Sequence, residues 1–122
     1  MSVNSKVAIT KTQGVIVVTM HPDLDTDDFN AMCEAVLTQI VKSDIKAVIL
    51  DFSAVDVLNL TEFNRARAFL NSVYLLGAET AIVSLSAGIV VYLTEVQAET
   101  QGTNYFFGLD EALQRFGKGE SG

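Results

Sequence analysis

Residues 46–52 read KAVILDF, and after a short polar corner residues 61–77 read TEFNRARAFLNSVYLLG. A strand with water on one face alternates apolar and polar residues. An unbroken apolar run closed by a polar group is expected of a strand covered on both faces. In the second stretch Phe63, Ala66, Leu70 and Val73 recur at three- and four-residue spacing, which lines one face of a helix, and Gly77 is placed to end it. A doubly covered strand feeding an amphipathic helix predicts a β-α unit in a mostly parallel sheet.

The flanks extend the pattern in both directions. Residues 6–20, KVAITKTQGVIVVTM, hold two β-branched runs around TQG, a hairpin signal with Gly14 near the turn. Residues 23–42, DLDTDDFNAMCEAVLTQIVK, place Phe29, Met32, Cys33, Val36, Leu37, Ile40 and Val41 in helical register. The acids before them suit a helix start, where the peptide dipole favours negative charge. TAIVSL at 80–85 predicts a second buried strand. GIVVYLTEVQAE at 88–99 reads as a helix, although its β-branched residues weaken helix formation. NYFFG at 104–108 reads as a short strand. LDEALQRF at 109–116 reads as a closing helix with Leu109, Ala112, Leu113 and Phe116 on one side. The expected order is β, β, α, β, α, β, α, β, α. This is one α/β domain over 1–122, with a mixed, mostly parallel sheet of about five strands, an initial hairpin and about four helices. Its core is expected over 7–116, with a loose tail over 117–122, where GKGESG has no apolar face.

At 122 residues and 49% apolar composition, the chain can bury roughly two-thirds of the surface its unfolded form exposes, so it needs no disulfide or metal staple. The formal charge of −7 argues against free nucleic acid and anionic membranes, which require clustered Lys and Arg. A single cysteine, Cys33, suits a reducing compartment. The opening MSVNSKVAIT lacks a basic region followed by a long apolar run, so no secretory leader and a cytoplasmic location are expected. No apolar stretch is long enough to span a bilayer, and the Asn59-Leu60-Thr61 match to a glycosylation acceptor is read as chance.

Chemical motifs are few. Ser84-Leu85-Ser86-Ala87-Gly88 has the spacing of a hydrolase nucleophile elbow, with Ser86 as nucleophile, but the only histidine, His21, precedes it where that enzyme needs one after it. Ser86 is expected instead to cap a helix. Asp23, Asp25, Asp27 and Glu34 match four ligand positions of a calcium loop, yet Asp28 stands where the loop needs Gly, and the helix pattern runs through the same residues. Ser43 to Lys46 matches S-x-x-K without its companion motifs. Cys33 and His21 lack metal-ligand spacing; Cys33 is expected as buried filler and His21 as surface. No nucleotide-cradling glycine motif occurs. No catalytic residue, metal or cofactor is expected.

AVILDFSAVDVLNL (47–60), LLGAE (75–79) and FFGLDEAL (106–113) resemble the STAS domain of anti-sigma-factor antagonists and sulfate-transporter tails. Asp51, Ser53 and Val55 match its Asp-x-Ser/Thr-x-Val strand end, and Leu75 to Ala78 match its helix exit. The resemblance spans about residues 7–116. Among members, the acidic helix start and YLLGAE are most similar to bacterial stressosome scaffold proteins. The family implies a non-catalytic protein-binding module of a partner-switching signalling system. The implied partners are other STAS-domain proteins, a serine kinase or an anti-sigma factor, in a homo- or hetero-oligomer. Members that switch carry a phosphorylatable Ser or Thr at the start of the helix after the third strand; placed from Asp51 and Val55, that position is Leu60, which has no hydroxyl. Asn59 and Glu62 have capping-box-like spacing, which puts Thr61 in the first turn about 100° around the axis from Leu60.

The resulting expectation is a scaffold that is not phosphorylated at this corner. It binds partners through Asn59, Leu60, Thr61, Glu62 and Asn64, with Leu60 as an apolar knob. A Thr61 side chain directed outward in the slot assigned to Leu60 would overturn it. The alternatives are an antagonist phosphorylated at Thr61, an accessory STAS subunit of a lipid transporter and, from another class, a small serine hydrolase using Ser86.

Overall fold

The computed structural model describes residues 8–117. Its elements are β1 (Ala8–Thr12), β2 (Val15–Thr19), α1 (Thr26–Lys42), β3 (Ala47–Asp51), α2 (Leu60–Leu75), β4 (Glu79–Val83), α3 (Ala87–Glu95), β5 (Asn104–Phe106) and α4 (Leu109–Gly117). The five strands form one sheet in the order β1-β2-β3-β4-β5. β1 and β2 pair antiparallel as the hairpin, and β2, β3, β4 and β5 run parallel. The expected element order and α/β class are therefore observed. The expected core start at Val7 and tail residues 118–122 lie outside the described residues, while Gly117 ends α4.

The period-2 geometry of the strands sorts their side chains into two cores. Ile16, Val18, Val48, Leu50 and Ile82 face one layer, where they meet Phe29, Met32 and Val36 of α1, Phe63, Leu70 and Val73 of α2, and Ile89 and Leu93 of α3. Val15, Val17, Ala47, Ile49, Ala81 and Val83 face the other, covered by Ala112 and Phe116 of α4. Three crossovers thus place α1, α2 and α3 on one face and leave α4 to cover the second. Cross-strand register aligns Val17 with Ile49 and Ile49 with Ala81, stacking this second core in line. Rings meet edge-on in both layers, Phe29 with Phe69 and Phe106 with Phe116.

The hairpin turn uses left-handed backbone at Gln13 and Gly14, the latter at φ +80°. A Cβ at Gly14 would also lie 3.2 Å from the Lys46 side chain, whose backbone N–H donates to the Gly14 carbonyl at 2.8 Å. Glycine answers both demands.

Two expectations on α1 need correction. Val41 has helical register but is 74% exposed, one residue before α1 ends at Lys42, and the buried residues of the helix are Phe29, Met32 and Val36. Cys33, expected as buried filler, is half-buried and packs against the first core from its margin. The acidic segment behaves as a helix start: Asp25 caps α1 through its Oδ1, which accepts the Asp28 N–H at 2.8 Å.

Phe63 is wholly buried at the centre of the first core. Phe63→Ala is expected to cost about 3–5 kcal/mol, and Leu75→Ala, at an exposed position, less than about 0.5 kcal/mol. Urea denaturation of both variants checks the contrast.

Candidate protein-docking site

The corner between β3 and α2 is built by local hydrogen bonds. Asp51 closes β3 with its side chain almost fully buried, and its Oδ1 accepts the Ser53 N–H at 2.9 Å. The Met20 N–H donates to the Asp51 carbonyl at 2.9 Å and the Val55 N–H to the Phe52 carbonyl at 3.0 Å. These bonds turn the chain off the sheet and drive Val55 and Leu58 into the first core. They give the Asp51-x-Ser53-x-Val55 pattern a physical meaning: a carboxylate that organises a turn, then an apolar plug.

Asn59 then caps α2. Its Oδ1 accepts the Glu62 N–H at 2.8 Å, and Glu62 Oε1 accepts the Asn59 N–H at 3.0 Å, a complete capping box. Leu60, the first helical residue, is half-buried, and its N–H donates to the Tyr92 hydroxyl of α3 at 3.1 Å. Leu60 is therefore a partly tucked residue, where an exposed knob was expected. Thr61, the second helical residue, is exposed, as are Asn59, Glu62 and Asn64. Leu60 keeps the slot directly after the cap, while the outward hydroxyl at this end of α2 belongs to Thr61.

Loops leaving the carboxyl ends of the parallel strands converge on the same edge of the domain. Val57, between β3 and α2, is 82% exposed, and Phe107, between β5 and α4, is 92% exposed. Val90 and Val91 on α3 are also exposed. Sequence reasoning missed Val57, Phe107 and Tyr92. The period of two could have found Phe107: Phe106 ends β5 packed against the second core, so its neighbour must point away. Tyr92 lay within GIVVYLTEVQAE, read as a helix with no partner assigned to the tyrosine hydroxyl.

Ser86 is a helix cap. Its Oγ accepts the Ile89 N–H at 3.2 Å, and its backbone is relaxed at φ −69°; the left-handed residue of this turn is Ser84, at φ +63°. A nucleophile elbow concentrates strain on the nucleophile itself. His21 is exposed and its Nδ1 accepts the Asp23 N–H at 3.3 Å. Among the described residues, no group of three or more His, Cys, Asp or Glu side chains could hold a metal ion, and no helix is long and apolar enough to cross a membrane.

Among the described residues, two side chains have shifted acidities. Burial pushes the Cys33 thiol up to about 12. Burial also raises Tyr105, with the positive charge of Arg67 opposing it. Arg67 ties α2 to the α3–β5 connection, its Nη2 donating to the Gln101 carbonyl at 2.5 Å.

A serine-to-glutamate variant of RsbS from Moorella thermoacetica superposes with a TM-score of 0.77 at 22% identity, over 97% of this chain and all of that one. A chain from the molecular architecture of the stressosome, described as a signal integration and transduction hub, gives 0.77 at 20% identity over 91% and 96%. The chain has the STAS fold. A proposed anti-sigma factor antagonist from Thermotoga maritima shares it at a TM-score of 0.68 and 15% identity, over 93% of this chain and 96% of that one. No protein-family model and no curated protein matches the sequence. In this domain of STAS fold the capped start of α2 and the loops beside it form the candidate site.

Asn59→Ala should lower stability by about 1 kcal/mol and Asn59→Gly by a few tenths, measured by thermal unfolding followed by circular dichroism. Burial should suppress the Cys33 thiolate strongly in the folded protein. Ellman's reagent at pH 8 should therefore modify it slowly in the native protein and rapidly in urea.

Proposed function

We propose that this STAS domain is a non-catalytic protein-binding module of a partner-switching system, a scaffold that docks other STAS proteins or a serine kinase through the capped start of α2. The observation that carries the proposal is the grouping of exposed apolar residues, Val57 and Phe107 above all, on the edge that presents Asn59, Thr61, Glu62 and Asn64. Apolar side chains ringed by polar ones suit an interface with a dry centre and a wet rim. The proteins that share the fold include a stressosome component and a proposed anti-sigma factor antagonist, which supports a signalling partner over a metabolic substrate. Leu60, without a hydroxyl, occupies the slot after the cap.

A second reading has its own support. Thr61 is exposed in the first turn, where a phosphoryl group would add up to about two negative charges at the favourable end of the helix dipole. Such a charge would act on a docked partner without unfolding the domain. In this reading the chain is an antagonist switched at Thr61. The accessory role in a lipid transporter has no comparable structural support and predicts copurification with a transporter ATPase. A hydrolase using Ser86 predicts labelling of that residue by a fluorophosphonate.

Size-exclusion chromatography with light scattering should show a complex between the purified chain and its cognate STAS protein or kinase. Val57→Asp and Phe107→Asp should each abolish it while leaving the circular dichroism unchanged; persistence of the complex in both variants would move the interface elsewhere. Incubation with the kinase and ATP should leave the chain unmodified, and phosphate on Thr61 by mass spectrometry would put the switched reading first.

A further inference from the structure

A cavity of about 240 Å³ opens beside the docking edge, between the β2–α1 loop, the β3–α2 connection and the first two turns of α2. Its floor is apolar, with Phe29, Phe52, Leu58 and Ala66. All four are buried members of the first core, so the floor is preformed. The volume is just under the roughly 300–1,000 Å³ typical of drug-sized sites, which points to a smaller molecule.

The rim carries both signs of charge. Asp25 and Glu62 line it as anions and Arg65 as a cation. One oxygen of each carboxylate is committed to a helix cap, Asp25 Oδ1 to the Asp28 N–H and Glu62 Oε1 to the Asn59 N–H. The caps hold both groups in place, and among the described residues no hydrogen bond or ion pair engages the second oxygen of either. No hydrogen bond or ion pair engages the half-buried Arg65 guanidinium among the described residues. Thr26, the first residue of α1, also lines the cavity. A fatty acid would leave the two rim anions without a counter-charge, and a simple amine would leave Arg65 without one. A molecule carrying a carboxylate, an ammonium and a short apolar body answers all three features.

We infer that this cavity binds a free apolar amino acid, with its carboxylate on Arg65, its ammonium between Asp25 and Glu62, and its side chain on the Phe29–Phe52 floor. Val57 and Glu62 belong to both the candidate docking edge and this cavity, but a ligand titration of the chain alone reads the cavity whatever docks beside it.

Titration of the ¹⁵N-labelled chain with L-leucine, L-methionine and L-phenylalanine, followed by NMR, tests it. At least one should give saturable shifts confined to residues 20–29 and 52–66, with a Kd of about 1 mM or tighter. For leucine as the binder, 4-methylpentanoate lacks the ammonium and L-leucinamide lacks the carboxylate; each should bind at least about tenfold more weakly, the loss expected when a charged hydrogen-bond partner is removed. The corresponding deaminated acid and amide serve for the other two. Asp25→Asn and Glu62→Gln retain capping chemistry while removing charge, and Arg65→Gln removes the cation; each should weaken binding by a similar factor. Absence of saturable shifts with all three amino acids overturns the inference. Equal binding of the deaminated acid would make this a plain carboxylate site, and equal binding of the amide an amine site; either also overturns it. The ligand arms need no variant, so they decide the matter even if a substitution lowers stability.

Discussion

β3 has every residue from Ala47 to Asp51 buried. Its backbone bonds to β2 on one side and β4 on the other, and its side chains alternate between two apolar layers. Exposing either layer to water would forfeit about 25 cal/mol for each Å² of apolar surface. The placement of three helices on one face and α4 on the other follows from that requirement. The same burial explains why Asp51 stands at the strand's end: the chain must turn before it meets solvent, and a carboxylate that accepts the Ser53 N–H supplies the turn.

From that turn the candidate site is assembled almost mechanically. Val55 and Leu58 plug the core, Asn59 stops the descent by capping α2, and Glu62 closes the box. The residues between these anchors have no place inside and are pushed outward. Val57 is one such residue, and its exposure is a consequence of the anchors on either side of it. Tyr92 adds the long-range element, its hydroxyl holding the Leu60 N–H and fixing α3 against the corner. The candidate docking edge and the lined cavity lie side by side because both draw on the loops that leave the carboxyl ends of adjacent strands.

Much of this was legible in the residues. The unbroken run of β3, the three-four spacing of α1 and α2, and the hairpin around Gly14 each carry a local period or a backbone requirement. Asn59 and Glu62 announced their cap because capping is a contact between near neighbours. Ser86 did so for the same reason. Cys33 and Val41 fit the helical period of α1 yet are not fully buried, since a period specifies a face and leaves open how far the sheet beneath it extends.

The sequence by itself determined which segments are strands and helices, where α2 begins, and that Leu60 lacks an acceptor hydroxyl, because propensity, period and capping act over a few residues. Only the tertiary structure decided that Leu60 tucks under Tyr92 while Thr61 faces out, and that Phe107 stands bare on the same edge as Val57. It alone brought Asp25 and Arg65 to one cavity. Those relations join residues some thirty to fifty positions apart, and it is the packing of helices on a twisted sheet, with no local signal in the chain, that sets them.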